Sequence, residues 1–392
     1  MDGTQPKSWV SNRYGFQAWI FVFYLALFLI CSGCGSSNES QEMAEPTTQD
    51  SPPPNVILIS LDTLRRDAVG QAKDSVPRTP SLDAFARDAI QYNHAYTPMP
   101  FTPPAHMTML TGFYPRVHTV PAQTKHAETQ QQHILPPELK TVAQIVGAQK
   151  FHTVGIYTSE WLTPGFGFGR GFDVYEKVPH SITQASQVTD LALQRLDGLR
   201  DRDSKRPFFL FLHYYDIHSD FYPDHPPYAA PMDYRINTYD QAAQDFCTDQ
   251  GQCATYFLTE AMSQGRALPS DQIDLLQRLY TSGIQYTDDQ IGRFLQELKS
   301  RGLYDSSLII ITSDHGEEFQ EHGMLLHEQI FDESMAVPLL IKRPEFKNAG
   351  QVVNRVVELV DLLPTILRQL GQVVPEQVQG QSIFPSDLKN SA

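Results

Sequence analysis

Positive charge, cysteine and long apolar runs are all scarce in this sequence, and each shortage narrows the range of functions. The 30 lysine and arginine residues are outnumbered by 45 aspartate and glutamate residues, which gives a formal net charge of −15 at pH 7. A nucleic-acid-binding protein normally presents a basic surface, so no nucleic-acid partner is expected. An acidic protein can still bind an anionic substrate where metal ions and helix N-termini reverse the local field.

The apolar run near the N-terminus, from Ala18 to Ile30, is shorter than the ~20 residues that a membrane-spanning helix needs. It follows a basic region and precedes small residues, so residues 1–34 are predicted to be a signal peptide. Cys34 and the serine-rich stretch after it resemble a bacterial lipoprotein cleavage site. We therefore expect an exported protein, a periplasmic or cell-envelope lipoprotein that reaches the membrane through a lipid on Cys34. A plain signal peptide or a short membrane anchor is the alternative.

The few cysteines agree with export. After the signal and Cys34, only Cys247 and Cys253 remain, in a polar segment with no histidine nearby that would favour a metal site. In an oxidising compartment they could close a small loop disulfide, and two unpaired thiols are the alternative. Residues 35–54 are rich in Ser, Glu, Gln, Thr and Pro and are predicted to form a flexible tether. The catalytic domain would then span residues 55–392.

The rest of the chain has the composition of a globular protein, with 41% hydrophobic and 19% charged residues. Short apolar runs predict buried strands of a mostly parallel sheet at 56–61, 153–157, 208–212, 308–312 and 337–341. Helical patterns separate them at 81–89, 139–146, 188–199 and 271–300. This alternation predicts an α/β sandwich, with helices on both faces of a mostly parallel central sheet. A Pro-, Tyr- and Asp-rich segment at 220–268 interrupts it and is predicted to be an insertion over the active face.

Three of the predicted strands run directly into side chains that can bind a metal. These side chains are Asp62, His213, Asp216, His218, Asp314 and His315. Ligand sites of open parallel sheets lie beyond the carboxyl ends of the strands, so the side chains should converge. Carboxylate and imidazole together suit a divalent metal. A single Asp after a strand is more often a helix cap or a turn residue, but its recurrence at several strands favours the metal site.

A nucleophile candidate stands at the start of a short predicted helix. Thr102 is the expected N-cap, Pro103 lies in the first turn and Gly112 ends the helix. The Thr102 hydroxyl would lie at the positive end of the helix, which is a ready anion site. Metal coordination would lower the pKa of this otherwise poor nucleophile. A cap without a catalytic role is equally consistent with the spacing.

The motifs around these residues closely resemble the sulfatase family of the alkaline phosphatase superfamily. The matching stretches are 55–67, 79–87, 102–115, 165–175, 312–323, 360–365 and 380–382. The resemblance implies an alkaline phosphatase-like α/β sandwich that hydrolyses anionic esters with the help of a divalent metal. It assigns Asp62, Asp314 and His315 to the metal, together with Thr102 at the position of the nucleophile. Zinc or manganese is favoured over calcium, because calcium prefers an all-oxygen shell.

The resemblance also implies roles for residues beyond the metal. His106 falls where the family has a substrate-binding arginine. His218 resembles the histidine that binds substrate and donates a proton, and His327 stands where a lysine touches the sulfate. Asp216, His218 and His327 could instead form a second metal site. The alternative is that both histidines stay metal-free and act as proton donor and anion binder.

Thr102 departs from the sulfatase pattern, and this departure bears on the substrate. Sulfatases oxidise a Cys or Ser to formylglycine, whereas the extra methyl group of Thr102 would yield a ketone. A Thr nucleophile is similar to the nucleotide pyrophosphatase and lipoteichoic acid synthase branches, which act on phosphate esters. We therefore expect a phosphoesterase acting on phosphoesters or phosphodiesters. A sulfate-ester hydrolase using unmodified Thr102 is the first alternative, and a non-catalytic envelope binding protein is the second.

Overall fold

The structure is a computed structural model. It describes residues 52–70, 78–122, 134–179, 181, 183–203, 206–219, 228, 230–235 and 254–384. These residues belong to one compact unit, Asp50–Ala392. The predicted signal peptide, most of the tether, Cys247 and Cys253, and most of the predicted insertion lie outside the described residues. Among the described residues, no helix combines the length and apolar character needed to cross a membrane.

A nine-stranded mixed sheet forms the centre of the described unit. In chain order, the strands of the fold are β1 Val56–Leu61, β2 Ile90–Tyr96, β3 His152–Tyr157, β4 Val174–Lys177, β5 Phe208–Tyr214, β6 Leu308–Thr312, β7 Glu318–Phe319, β8 Leu325–Leu326, β9 Ala336–Val337, β10 Leu339–Lys342 and β11 Val352–Glu358. The sheet order is β11-β2-β10-β6-β1-β5-β3-β4, with β9 paired to β2, while β7 and β8 form a separate ribbon.

The centre of the sheet is parallel, and its register places the strand ends at one edge. β1 pairs in parallel with β5 and β6, so that Ser60 lies opposite both His213 and Thr312. β3 continues the parallel pairing on the β5 side, and β10 runs antiparallel to β6. The residues that follow β1 and β6 therefore meet beside the last residues of β5, as expected for the ligand edge of an open sheet.

Helices cover both faces of this sheet. They are α1 Pro80–Asp88, α2 Thr102–Thr111, α3 Pro115–His118, α4 Val142–Ala148, α5 Ala185–Asp203, α6 Met232–Arg235, α7 Ala254–Ser263, α8 Ser270–Ser300, α9 Asp332–Met335 and α10 Leu362–Gln369. The side chains of β1 alternate between two cores, as a pleated strand requires. Ile57 and Ile59 pack with α1, α5 and α8, whereas Val56 and Leu58 pack with α2, α4 and α10. The predicted α/β sandwich with helices on both faces is confirmed.

Some elements differ from the sequence prediction. The apolar run 337–341 is split at Pro338, which has no N–H to donate, so that β9 and β10 are separate strands. β2 was not predicted, because the predicted strands were continuous apolar runs and polar side chains interrupt this one in Gln91-Tyr-Asn-His94. The helix predicted from residue 139 begins at Val142, where Thr141 and Gln144 form a capping box.

Candidate active site

The helix that carries Thr102 begins one residue earlier than predicted. Phe101 is the N-cap and Thr102 is the first helical residue, so the prediction of Thr102 as the N-cap is wrong. Its hydroxyl does not cap the helix and turns instead toward the strand ends. Thr102 Oγ1 lies 3.5 Å from Oδ2 of Asp62 and 3.4 Å from Nε2 of His315. Gly112 ends the helix in the left-handed conformation at φ 70°, as the spacing predicts.

Asp62, Asp314 and His315 converge at the carboxyl ends of β1 and β6. Each offers a ligand atom within 4.8 Å of the other two, and all three side chains are buried. His315 Nε2 lies 3.3 Å from Oδ2 of Asp314 and 3.9 Å from Oδ1 of Asp62.

The free oxygens of this cluster fit a cation. Asp62 Oδ1 and Asp314 Oδ2 are buried and have no hydrogen-bond partner. An unpartnered buried carboxylate oxygen is costly, and a metal ion removes that cost. The donor set of two carboxylates, an imidazole and the nearby Thr102 hydroxyl therefore suits a divalent metal.

The electrostatics of the cluster point the same way. Burial raises the pKa of Asp62 well above its ordinary value, and the neighbouring Asp314 carboxylate raises it further. Burial also acts against the charge on Asp314, but nearby imidazoles and a backbone N–H hold its pKa at about 2. Two buried carboxylates this close repel each other when both are ionised, and a cation between them removes this destabilisation.

Backbone contacts orient two of these ligands. The N–H groups of Thr63 and His315 donate to Oδ1 of Asp314 at 3.2 and 2.9 Å, so Oδ2 is the oxygen left for a cation. His315 Nδ1 lies 3.0 Å from the carbonyl oxygen of Gly316, which is consistent with Nδ1 as donor and Nε2 as ligand.

The sequence places His213 among the strand-end side chains but gives it no separate role, and in the structure it contacts Asp62. Its Nε2 lies 3.1 Å from Oδ2 of Asp62, and its Nδ1 lies 2.8 Å from the hydroxyl of Thr158. Burial lowers the pKa of His213 to about 4, so the ring is neutral at neutral pH. A neutral ring can donate from Nε2 to Asp62 while Nδ1 accepts from Thr158. Its position at the end of β5 is the sequence signal that places it at the site.

His106 does not occupy the place predicted for a substrate-binding residue. It is fully buried beneath the site, with Nδ1 2.8 Å from the carbonyl oxygen of Thr102 and Nε2 2.9 Å from the hydroxyl of Ser60. Nδ1 also lies 3.5 Å from Oδ2 of Asp314. Because both ring nitrogens contact protein atoms, the placement contradicts direct substrate binding and makes His106 a support for Asp314. Burial lowers its pKa to about 3, so the ring is neutral.

His218 and His327 lie beside the metal cluster. The His327 ring is centred 4.3 Å from the ring of His315 and 5.2 Å from that of His218. Nδ1 of His327 contacts Oε2 of Glu317 at 3.1 Å, and Nδ1 of His218 contacts the carbonyl oxygen of Ser219 at 2.6 Å. The structure thus brings both predicted histidines to the site.

The side chains predicted as a second metal site, Asp216, His218 and His327, do not converge as Asp62, Asp314 and His315 do. Asp216 accepts a hydrogen bond through Oδ1 from the backbone N–H of Gln184 at 2.7 Å. Across the described ranges, two sets of three acidic or histidine ligands converge within 4.8 Å, and Asp216, His218 and His327 are not one of them.

The family model for sulfatases matches residues 54–372 of this chain. The chain belongs to the sulfatase family. It is 28% identical over 400 residues to the multifunctional alkaline phosphatase superfamily protein PehA of Trinickia caryophylli, covering 84% of this chain and 76% of that protein. It is 25% identical over 370 residues to the ulvan-active sulfatase of Formosa agariphila, covering 88% of this chain and 66% of that protein.

Solved structures confirm the alkaline phosphatase-like fold. The phosphonate monoester hydrolase of Agrobacterium radiobacter superposes with a TM-score of 0.65 at 22% sequence identity, covering 85% of this chain and 77% of that chain. The chain is therefore a sulfatase-family hydrolase of ester bonds. Because the relatives include both a sulfatase and a multifunctional alkaline phosphatase superfamily protein, membership of the family does not choose between sulfur and phosphorus.

Proposed function

We propose that this sulfatase-family hydrolase cleaves phosphate esters, phosphomonoesters or phosphodiesters, with unmodified Thr102 as its nucleophile. The observation that carries this proposal is the position of the Thr102 hydroxyl, within 3.5 Å of both Asp62 and His315. A threonine that only capped its helix would direct its hydroxyl to a backbone N–H, and this one does not.

Asp62, Asp314, His315 and Thr102 would hold the divalent metal. Zinc or manganese is favoured by the imidazole ligand, with calcium as the alternative. When bound, the metal supplies charge neutralisation for the ester and lowers the pKa of the Thr102 hydroxyl. The remaining chemistry belongs to side chains of the protein.

In the first step, Thr102 Oγ1 attacks phosphorus, and the bond from phosphorus to the leaving oxygen breaks. Asp62 Oδ2 accepts the hydrogen bond of the Thr102 hydroxyl and takes its proton. The product of this step is a phosphoryl group on Thr102, and the leaving oxygen takes a proton from a histidine. In the second step, water attacks phosphorus and gives a proton to the histidine, the bond from phosphorus to Thr102 breaks, and the Thr102 oxygen takes back the proton held by Asp62.

We assign to His327 the proton for the leaving oxygen. Burial lowers the pKa of His218 to about 3 and that of His327 to about 4, so both rings are neutral in the free protein at neutral pH. Nδ1 of His327 lies 3.1 Å from a carboxylate oxygen, Oε2 of Glu317. An anionic ester in the site would add to this negative charge and favour protonated His327. His218 then contacts the anion.

A panel of esters tests this proposal against the sulfate alternative. The purified protein is assayed with aryl phosphate, phosphodiester and aryl sulfate substrates that share one leaving group, each with the parent and with Thr102→Ser. We expect phosphate or phosphodiester turnover to exceed sulfate turnover in the parent. Faster sulfate turnover by unmodified Thr102 would reverse the assignment, and no turnover together with no bound metal would support a non-catalytic binding protein.

We also propose that residues 1–34 direct export, that Cys34 is lipidated and that residues 35–54 tether the domain to the periplasmic or cell-envelope membrane. Mass spectrometry of the mature N-terminus tests this. A chain beginning at lipidated Cys34 is expected, and an unprocessed N-terminus would contradict it.

A further inference from the structure

A second set of ligands lies on the segment that continues past the catalytic His315. Glu318 on β7, His322 in the following turn and Glu333 on α9 offer ligand atoms that lie within 4.8 Å of one another. Nδ1 of His322 is 2.6 Å from Oε1 of Glu318 and 3.6 Å from Oε2 of Glu333. None of these residues belongs to the Asp62 cluster.

Carboxylate oxygens in this set lack hydrogen-bond partners although they are buried. The Glu318 side chain is 0% exposed, and its Oε2 atom has no hydrogen-bond partner. Oε2 of Glu333 is also buried without one. Such oxygens are destabilising unless a cation or a proton accompanies them. Burial raises the pKa of Glu318, and the Glu333 carboxylate is among the charges that raise it further.

Neighbouring acids are neutralised by arginines, whereas this pair is not. Glu321 pairs with Arg65 at 2.5 Å, and Asp332 pairs with Arg66 at 3.4 Å. Within the ranges that the structure describes, neither Glu318 nor Glu333 has a lysine or arginine partner, and His322 is their one potential cationic neighbour. The negative charge of Glu318 and Glu333 is therefore available to bind another cation.

The backbone holds the three side chains in place. Gln320 and Gly323 both have positive φ, 69° and 81°, and this tight turn returns His322 over Glu318. The His322 ring stacks on Phe331, with centroids 3.6 Å apart and planes 13° apart.

Glu333 is fixed by close backbone approach to the strand. The Glu317 N–H donates to the carbonyl oxygen of Glu333 at 3.0 Å. A Cβ at Gly316 would lie 1.9 Å from that oxygen, so the approach requires glycine. The ligand set is thus built by rigid contacts rather than by mobile side chains meeting by chance.

We propose that Glu318, His322 and Glu333 bind a second divalent cation, of the zinc class, separate from the catalytic one. Two carboxylates and one imidazole are a zinc-compatible donor set, and the His322 side chain, 36% exposed, leaves access for water as a further ligand. This cation joins β7, its turn and α9. It therefore braces the segment between His315 and His327 and acts as a structural ion.

Zinc content of the purified full chain tests the proposal. The protein is stripped with a chelator, dialysed against Zn²⁺ and measured by elemental analysis and calorimetric titration. His322→Phe keeps an aromatic ring against Phe331 and removes the ligand nitrogen, and Asp271→Asn changes an exposed acid on α8 as the control. We expect two zinc ions in the parent and the control, and one in His322→Phe. In His322→Phe, the zinc affinity of the site at Glu318 and Glu333 should fall by more than about 100-fold. This exceeds the usual loss when a residue that only contacts a metal ligand is removed.

Zinc binding at the catalytic site is measured separately in the same titration, with variants of Asp314. Asp314→Asn should lose the other zinc ion, and its combination with His322→Phe should lose both. If Asp314→Asn kept its zinc while His322→Phe lost one, the catalytic assignment would fail and this proposal would stand. If His322→Phe and Glu333→Gln both bound zinc like the parent, the cluster would be an ion pair bridged by a proton, and the proposal would be overturned.

Discussion

Nε2 of His213 lies 3.1 Å from the same Asp62 oxygen, Oδ2, that accepts the Thr102 hydroxyl at 3.5 Å. The other oxygen of Asp62, Oδ1, has no hydrogen-bond partner. His213 and Thr102 therefore fix one oxygen of the carboxylate while the second is left to the cation. The Thr158 hydroxyl, 2.8 Å from Nδ1 of His213, fixes the ring in turn.

This arrangement predicts that His213→Ala weakens metal binding without removing a ligand. We expect the metal affinity to fall about 10–100-fold, the usual cost of losing an outer-sphere partner, with a parallel loss of kcat at limiting metal. Titration of the stripped variant with Zn²⁺ measures the affinity. Thr158→Val, which removes only the hydroxyl behind the ring, should show a smaller loss in the same direction. Unchanged affinity in His213→Ala would show that Asp62 needs no such support.

Metal removal should destabilise the fold as well as stop turnover. A ligand that binds only the folded state stabilises it, by about 4 kcal/mol at a concentration 1,000 times its Kd. We therefore expect a chelator to lower the Tm of the parent and added Zn²⁺ or Mn²⁺ to restore it.

Asp314→Asn provides the matched variant for this experiment. Its Tm should respond less to the metal than that of the parent, because a carboxylate ligand of the catalytic site has been lost and only the ion at Glu318, His322 and Glu333 remains. A parent Tm that does not change with chelator or metal would contradict a cation at this cluster.

Replacement of Glu317 should lower kcat most for esters with poor leaving groups. Its Oε2 lies 3.1 Å from Nδ1 of His327, and burial raises its own pKa to about 6. Glu317→Gln removes the charge that favours protonated His327, so kcat should fall about 10²–10⁴-fold for alkyl esters, the range for general acid catalysis. Nitrophenyl esters, whose leaving oxygen needs no proton, should lose far less.

Tyr228 supplies the control for this prediction. Its hydroxyl donates to Oε1 of Glu317 at 2.7 Å, so Tyr228→Phe removes this hydrogen bond but keeps the carboxyl group of Glu317 beside His327. This variant should lower kcat for alkyl and nitrophenyl esters to a similar degree, and by less than Glu317→Gln lowers kcat for alkyl esters. If Glu317→Gln slowed both classes equally, His327 would not be the proton donor.

The sequence predicted those parts of the site that depend on strand ends. Apolar runs locate β1 and β6, and a parallel register brings the residues after them together, so the sequence groups Asp62, Asp314 and His315. The same reasoning gave the layered α/β fold, since helices must cover both faces of a sheet whose strands are apolar throughout.

The sequence could not predict the directions in which the Thr102 and His106 side chains point. Spacing alone was equally consistent with Thr102 as a nucleophile and as a helix cap without a catalytic role. Whether its hydroxyl meets a backbone N–H or Asp62 depends on where β1 ends relative to α2. His106 sits on the same helix, one turn along, and faces Ser60 and Asp314 rather than the substrate side. That orientation follows from the packing of α2 on the sheet, which no local pattern encodes.

The most direct test of the account is the turnover of Thr102→Ala, measured on the same sample as its metal content and its folding. We expect a folded protein that keeps its metal through Asp62, Asp314 and His315 and loses kcat by about 10⁴-fold or more, as when a nucleophile is removed. Thr102→Ala that retained both its metal and the turnover of the parent would contradict the central claim that this hydroxyl attacks the ester.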